Sequence, residues 1–398
     1  MAEGITKPQR LIGVKRIVAL IGAIALSACS TVVPNTAPPA TTGPAYVAPP
    51  ISAPPVVEPG LPTDNEHHMI ALLVPLTGAN AAVGKSIANA TQLALLDTDN
   101  SELRLTTYDT ATGAAAAAQK AIDDGARVIL GPLLADDVRA VLPVAKRAGV
   151  PVISFSNDAS LAGSGAYLMG YSPGQSIERV VDYAREKGIT TYGALVSNGV
   201  YGQRASTAFL RAVEGAKGQV VSMQNYDRTN VSITGATLKL GKAGPIGAVL
   251  IVDDGTAASG IVPLMRKNGE PAARVLGTER WNIETAIAAK PALNGAWFAS
   301  VSDGLFRQYA VKYRARFGLA PYRLSSIGYD AVLLTIRIAR DWKVGSPFPE
   351  ERLRDRGGFS GIDGAFRFAK DGIAERALEV QEVRGGTTVT ISPAPAGF

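Results

Sequence analysis

Catalysis needs nucleophiles, acids and bases at workable spacings, and this chain offers few. Cys29 is its only cysteine, and His67 and His68 are its only histidines. A lone thiol excludes an intrachain disulfide framework and a four-cysteine metal site. No Gly-x₄-Gly-Lys-Ser/Thr phosphate loop or dinucleotide fingerprint occurs. The acids that draw notice are Asp136-Asp137 after an apolar run, Asp253-Asp254 before Gly255, Asp158 and Glu279. Acids that open a helix cap its orphan N–H groups and favour its dipole, so the two pairs read first as caps. Asp158 suits an Asx turn. Carboxylate-only hydrolysis would need a defined pair, and no feature selects one. The chain is therefore read as non-enzymatic, with no cofactor and no metal.

Cys29 has a distinctive setting. Lys7, Arg10, Lys15 and Arg16 precede a ten-residue apolar run, Ile17 to Leu26, and Ser27 and Ala28 then lead into the cysteine. This is the layout of a bacterial secretory signal. The run is too short to span a bilayer core, which takes about 20 residues. Leu26-Ser27-Ala28-Cys29 resembles the lipobox of bacterial lipoproteins. The resemblance implies cleavage of residues 1–28, acylation of Cys29 and a membrane anchor. Ser30 after the cysteine favours the outer membrane, so the expected location is the periplasm, lipid-anchored. Removing the signal leaves 36 basic and 33 acidic residues of the chain's 40 and 34. No basic run or basic–aromatic stripe remains, which argues against nucleic acid as a partner.

Residues 29–67 read as the lipidated cysteine and a disordered linker. Ten of the 25 prolines fall between Ser30 and Asn65. Proline fixes φ and removes a donor, so this stretch cannot build a core and samples extended polyproline II. At roughly 3.1 Å per residue its reach is at most about 110 Å.

From Met69 the composition turns globular. Short apolar runs alternate with helical periodicity: strands at 69–75, 102–109, 127–132 and 150–156, with helices between them. A second series follows from Ile177, with strands at 191–197, 218–226, 246–252, 273–278 and 295–300. Continuous apolar strands separated by helices predict βαβ units around parallel sheets covered on both faces. The stretch 167–175 reads as a crossing punctuated by Gly170, Pro173 and Gly174. Asp303 to Ala339 reads as helical, and the end, from Gly364, as strands.

Four stretches resemble the type 1 periplasmic binding proteins of the leucine-binding class. They are LLVPLTGANAAVGKSIANATQLAL (72–95), VILGPLLADDVRAVLPVAKRAGVPVISFSND (128–158), SSIGYDAVLLTIRIA (325–339) and FSGIDGAFRFAKDG (359–372). The resemblance covers about 69–392. It implies an α/β fold of two doubly wound lobes joined by three crossings, near 171–173, 301–303 and 342–345. Lobe 1 would be 68–171 with 302–343, and lobe 2 would be 172–301 with 344–398. A ligand cleft would lie at the carboxyl ends of the strands.

The resemblance places Thr77, Gly78, Pro132, Ala135, Ser156, Asp158, Tyr201, Asp254 and Glu279 along that cleft. The family grips a ligand carboxylate with a hydroxyl at the position held here by Ala135, and Asp158 stands where a second hydroxyl usually follows. Glu279 matches the acid that meets a ligand's ammonium, and Tyr201 matches the aromatic clamp. The ammonium side is thus retained and the carboxylate side is not. Among lipoproteins, the sequence also resembles the penicillin-binding protein activators over their binding-protein domain. That likeness implies a regulator whose partner is a peptidoglycan synthase. The alternative is a solute receptor working with an ABC permease, holding an amino acid, an amide or a related small ligand between its lobes.

Overall fold

The computed structural model describes residues 66–283 and 287–397. The expected signal segment 1–28, Cys29 and the proline-rich stretch 30–65 lie outside the described residues. The folded unit begins with β1 (His68–Val74), α1 (Ala81–Asp97), β2 (Leu103–Asp109), α2 (Ala114–Asp123), β3 (Val128–Leu130), α3 (Ala135–Ala148), β4 (Val152–Ser154) and β5 (Ala166–Leu168). These five strands pair in parallel in the order β2-β1-β3-β4-β5. Side chains alternate across a pleated strand. Ile70, Leu72 and Val74 therefore face one core, and Ala71 and Leu73 face the other, with α2 and α3.

The second series runs α4 (Pro173–Glu186), β6 (Thr191–Ser197), α5 (Val200–Gly215), β7 (Gln219–Tyr226), α6 (Asn230–Gly241), β8 (Ala248–Val252), α7 (Gly255–Lys267), β9 (Arg274–Gly277) and β10 (Trp297–Ser300). Local signals set these bounds. Pro173 opens α4 where a missing N–H costs nothing. Thr229 and Asp254 accept backbone N–H groups at the starts of α6 and α7. The remainder is α8 (Gly304–Phe317), α9 (Ser326–Ala339), β11 (Phe359–Gly361), β12 (Gly364–Phe368), β13 (Ala374–Arg376), β14 (Glu379–Arg384) and β15 (Thr387–Ser392). The second sheet has the order β15-β14-β10-β9-β8-β6-β7, and its β14–β15 edge is antiparallel. The fold is thus mixed α/β: two large sheets, each with helices on both faces, and a small antiparallel sheet in the order β11-β12-β13.

Three sequence expectations change. Tyr167 and Leu168 belong to β5, so the first crossing begins at Met169. The helical stretch 303–339 is two helices: Gly318 adopts left-handed backbone (φ +74) and caps α8, and α9 starts at Ser326. Residues 344–378, expected in lobe 2, pack on lobe 1. Phe348, Leu353, Phe359, Phe366 and Phe368 are buried in one core with Ile70, Leu72 and Ile327. Only β14 and β15 join the second sheet, so the third crossing lies near 377–379, not 342–345.

The reason is a carboxylate. Asp330 on α9 accepts the N–H groups of Ile362 (2.7 Å) and Asp363 (3.3 Å), which pins the β11–β12 hairpin against α9. A Cβ at Gly361 would meet that carboxyl group at 2.3 Å, so glycine is required for the approach. Burial and the charge of Asp363 raise Asp330 to about 7. Asp363, wholly buried, accepts from Arg323 Nη1 (2.7 Å), Tyr171 Oη (2.6 Å) and Ser326 Oγ (2.9 Å). Burial alone would raise Asp363, but Arg323 and Arg376 outweigh it and hold the carboxylate below its usual range.

Asp363→Asn removes the countercharge and strands Arg323 in the core. It is expected to cost about 3–5 kcal/mol in urea unfolding. A loss below about 1 kcal/mol would show that the pair is not a principal support.

Candidate functional site

The lobe 1 wall is built from strand ends. Thr77 Oγ1 donates to Asp109 Oδ2 (2.7 Å) and Leu76 N–H to Asp109 Oδ1 (2.8 Å). Thr77 and Gly78 are both exposed in the turn before α1. Pro132 follows a cis Gly131–Pro132 bond, and its carbonyl accepts from Ser154 Oγ (2.9 Å) and Phe155 N–H (3.0 Å). Ala135 is half-buried at the first position of α3 and packs on the core beneath that helix. Buried Ser156 accepts the N–H of Asp158 (3.2 Å).

Asp158 is a hub, not an open wall. Its Oδ1 accepts from Ser160 N–H (2.9 Å) and Ser160 Oγ (2.6 Å), the Asx turn its sequence position predicts. Arg139 Nη2 lies 3.1 Å from its Oδ2. Arg204, on α5 of the other lobe, lies 2.7 Å from its Oδ1. Burial would raise this carboxyl, yet the Ser160 hydrogen bonds and Arg204 outweigh it and lower it. Asp158 therefore ties the two lobes by an ion pair.

The lobe 2 wall carries Tyr201 and Glu279. Tyr201 Oη donates to Glu279 Oε1 and lies 2.9 Å from both that oxygen and Thr278 Oγ1, with Arg280 stacked over its ring. Glu279 is 6% exposed, and burial pushes it up to about 7, against the Tyr201 hydrogen bond and Arg280. Asp254 stands apart as the cap of α7, accepting Ala257 N–H (2.8 Å) and lying 3.6 Å from Arg228. Among the described residues no hydrogen bond or ion pair joins Asp254, Thr77 or Gly78 to Glu279.

Between the lobes lies a small cavity lined by Tyr171, Gln175, Glu279, Asn282, Arg323 and Arg376, of about 10 Å³. That is room for one water molecule. Four polar atoms of its lining residues, Glu279 Oε2, Arg323 Nε and Arg376 Nε and Nη1, have no hydrogen-bond partner among the described residues, although Arg323 Nε lies 3.4 Å from Asp303. Arg376 donates only through Nη2 to Met169 O (2.6 Å), and its guanidinium lies over Tyr171 and Phe366.

Sequence reasoning brought forward Tyr201 with Glu279, and these do meet. It missed Arg204, Arg323 and Arg376. Arg204 had a signal: it sits three residues after Tyr201 on α5, the spacing that stacks side chains on one helix face. Arg323 and Arg376 had none, because their neighbours are distant in sequence. His68, at the end of the linker, stacks on Trp342 at 4.0 Å and is buried. Among the described residues no group of three or more His, Cys, Asp or Glu is placed to hold a metal.

A family model described as a periplasmic binding protein matches residues 69–387. An uncharacterized protein of Rickettsia prowazekii, RP748, is 22% identical over 343 residues, covering 81% of this chain and 88% of that protein. A branched chain amino acid ABC transporter periplasmic ligand-binding protein of Burkholderia xenovorans superimposes with TM-score 0.67 at 18% identity, over 82% of this chain and 96% of that one. The C-domain of LpoA from Haemophilus influenzae, a regulator of PBP1A, superimposes with TM-score 0.64 at 20% identity, over 81% and 99%. Likenesses at this identity speak for the fold alone.

Two outcomes follow from the site. Glu279 has a folded value near 7 against an ordinary 4.5. A raised acid lends stability that is complete below its unfolded value and is lost as pH rises through the folded one. Wild type is therefore expected to lose roughly 3 kcal/mol more than Glu279→Gln between pH 4.5 and pH 7.5. Equal pH slopes for the two in denaturant unfolding would refute the assignment. Separately, Arg204→Glu sets like charges at the interlobe contact. It is expected to enlarge the radius of gyration in X-ray scattering, and an unchanged radius would show that Asp158 does not hold the lobes together.

Proposed function

The chain belongs to the periplasmic binding protein family, and from that premise we propose that it is a non-enzymatic, membrane-anchored periplasmic lipoprotein that regulates a peptidoglycan synthase. The observation that carries this reading is the state of the cleft. Its polar groups satisfy one another: Asp158 with Arg204 and Arg139, Tyr201 with Glu279 and Thr278, Thr77 with Asp109. The cavity beside Glu279, of about 10 Å³, admits a water and not an amino acid, and the roomier hollow of about 510 Å³ that adjoins it at Gln175 and Arg376 is lined by neither Tyr201 nor Glu279. The position of the family's carboxylate-binding hydroxyl is Ala135, which offers no donor in its side chain. A binding fold whose cleft is closed on itself serves as a rigid body to dock against a protein. The acylated Cys29 and the proline leash would carry that body from the outer membrane to its partner.

A second reading is a solute receptor of an ABC transporter. One observation favours it: Glu279 Oε2 and the Arg376 donors stand without partners around the same cavity, as the poles of a zwitterion site would if the lobes parted. In that case the arginine would replace the hydroxyl missing at Ala135.

One titration separates the two. Residues 66–398 contain both sheets and all four cores, so this fragment is expected to fold independently. Its thermal unfolding is measured with millimolar amino acids and amides. A ligand at 100 times its Kd adds about 2.7 kcal/mol, a shift of several degrees for this size. No shift is expected. In parallel, the rate of glycan polymerisation by the host's penicillin-binding proteins should rise when the fragment is added. A selective thermal shift without rate stimulation would replace the regulator with the receptor.

A further inference from the structure

The outward face of α8 is unlike the rest of the surface. From Gly304 to Tyr329 the chain has no aspartate or glutamate. The inner side of α8 is aromatic: Tyr309 and Tyr313 are buried, and Phe306 and Phe317 pack on the lobe 1 core. The outer side carries Arg307, Lys312, Arg314 and Arg316, all exposed. Between them stand Leu305 (51% exposed) and Val311 (68%), and the following loop adds Leu319 (61%) and Tyr322 (50%).

Helical geometry sorts these residues into two stripes, one along each flank of the exposed arc. Arg307, Val311 and Arg314 follow one another at four and three residues; Leu305, Lys312 and Arg316 at seven and four. Each flank therefore combines charge with an apolar side chain. Only Lys312 has an acidic partner, Asp97 of α1 (2.9 Å), among the described residues. Arg307, Arg314 and Arg316 make no ion pair there. Asp303, at the start of α8, lies 3.4 Å from buried Arg323. Exposed Lys85 extends the basic zone, since its neighbour Ser86 accepts the N–H of Tyr322 (3.0 Å).

Isolated exposed apolar residues are ordinary. Four within 18 positions, interleaved with unpaired guanidinium groups and no acid, form a patch with a defined preference. We propose that the outward face of α8, with Leu319 and Tyr322, docks on an anionic phospholipid surface. Guanidinium forks match phosphate oxygens. Leucine, valine and tyrosine suit the boundary between headgroups and acyl chains. The partner is thus identified by negative charge together with apolar depth. The proposal is independent of acylation at Cys29, although a leash of about 110 Å reach would let the face lie on the membrane that holds it.

The test is vesicle flotation of residues 66–398, which contain no acyl anchor. Expected is binding to vesicles of phosphatidylglycerol and phosphatidylethanolamine, none to phosphatidylcholine, and release at high salt. Arg307→Glu with Arg314→Glu should weaken binding at least about tenfold with an unchanged melting temperature. Leu305→Ser with Val311→Ser should weaken it while leaving the salt dependence intact. If a charge-reversed variant melts early, Arg307→Gln with Arg314→Gln is compared in its place. Absence of flotation on anionic vesicles, equal binding to both vesicle types, or wild-type binding by the arginine variants overturns the proposal. Binding to polyglutamate without binding to vesicles also overturns it, and assigns the face to an acidic protein.

Discussion

The arrangement of the two lobes depends on one buried ion pair, Arg323 with Asp363. Each residue is nearly or wholly excluded from water, so each would carry a large desolvation cost alone. Together, and with Tyr171 and Ser326, they complete a hydrogen-bonded set from three remote parts of the chain. Tyr171 lies at the first crossing. Arg323 reaches the carbonyl of Ser302 (3.5 Å) at the second. Asp363 heads β12, whose partner β13 ends at the third. Gln175, at the start of α4, receives the N–H of Arg376 (3.0 Å) and donates to Ala374 O (2.9 Å), closing the same junction from the lobe 2 side. A fault in this pair would disturb the first two crossings together and reach the third through β12 and β13, where buried Arg376 adds one further tie, to the carbonyl of Met169 (2.6 Å).

The same constraint governs the cleft. A junction fixed at the crossings limits how the lobes meet, and the Asp158–Arg204 contact then meets farther out along the interface. Between these two ties the chain fills its own cleft with side chains that satisfy one another. Glu279 is the exception. Its second oxygen is buried without a donor, and this raises its proton affinity into the neutral range. An unsatisfied buried carboxylate costs stability. It persists here beside Arg376, whose Nε and Nη1 have no hydrogen-bond partner among the described residues, so the cavity combines excess positive and negative capacity within one water's volume.

These features divide the surface by task. The cleft turns inward, and the polar groups that a solute would need are largely occupied. The outward face of α8 is the reverse: basic and apolar groups stand free. The buried junction holds the lobes still, which the proposed docking through outer surfaces requires. The small antiparallel edge β14–β15 adds to the rigidity by carrying the last segment into the second sheet after it has passed through the core of the first.

Sequence by itself determined the local and additive features. The alternation of Ile70, Leu72 and Val74 with Ala71 and Leu73 announces a sheet covered on both faces, since burial of each residue follows from its place in a period of two. Capping residues and left-handed glycines mark the helix ends in the same way. Resemblance placed Tyr201 and Glu279 separately along the cleft, the hydrogen bond between them came only from the fold, and the expected acylation of Cys29 rests on sequence alone. Tertiary structure decided what depends on meetings across the chain. Residues 344–378 look like any strand-rich tail, and their place in lobe 1 is set by Asp330 receiving two N–H groups some 30 residues away. Asp158 reads in sequence as an Asx-turn acid standing in the place of a hydroxyl, and Arg204 turns it into a tie. Arg376 is one more arginine in the sequence, and only its burial beside Tyr171 and Glu279 makes it part of a site. The physical reason is the range of the interactions: periodicity and capping act within a few residues, whereas the desolvation of a charge depends on every group that closes around it.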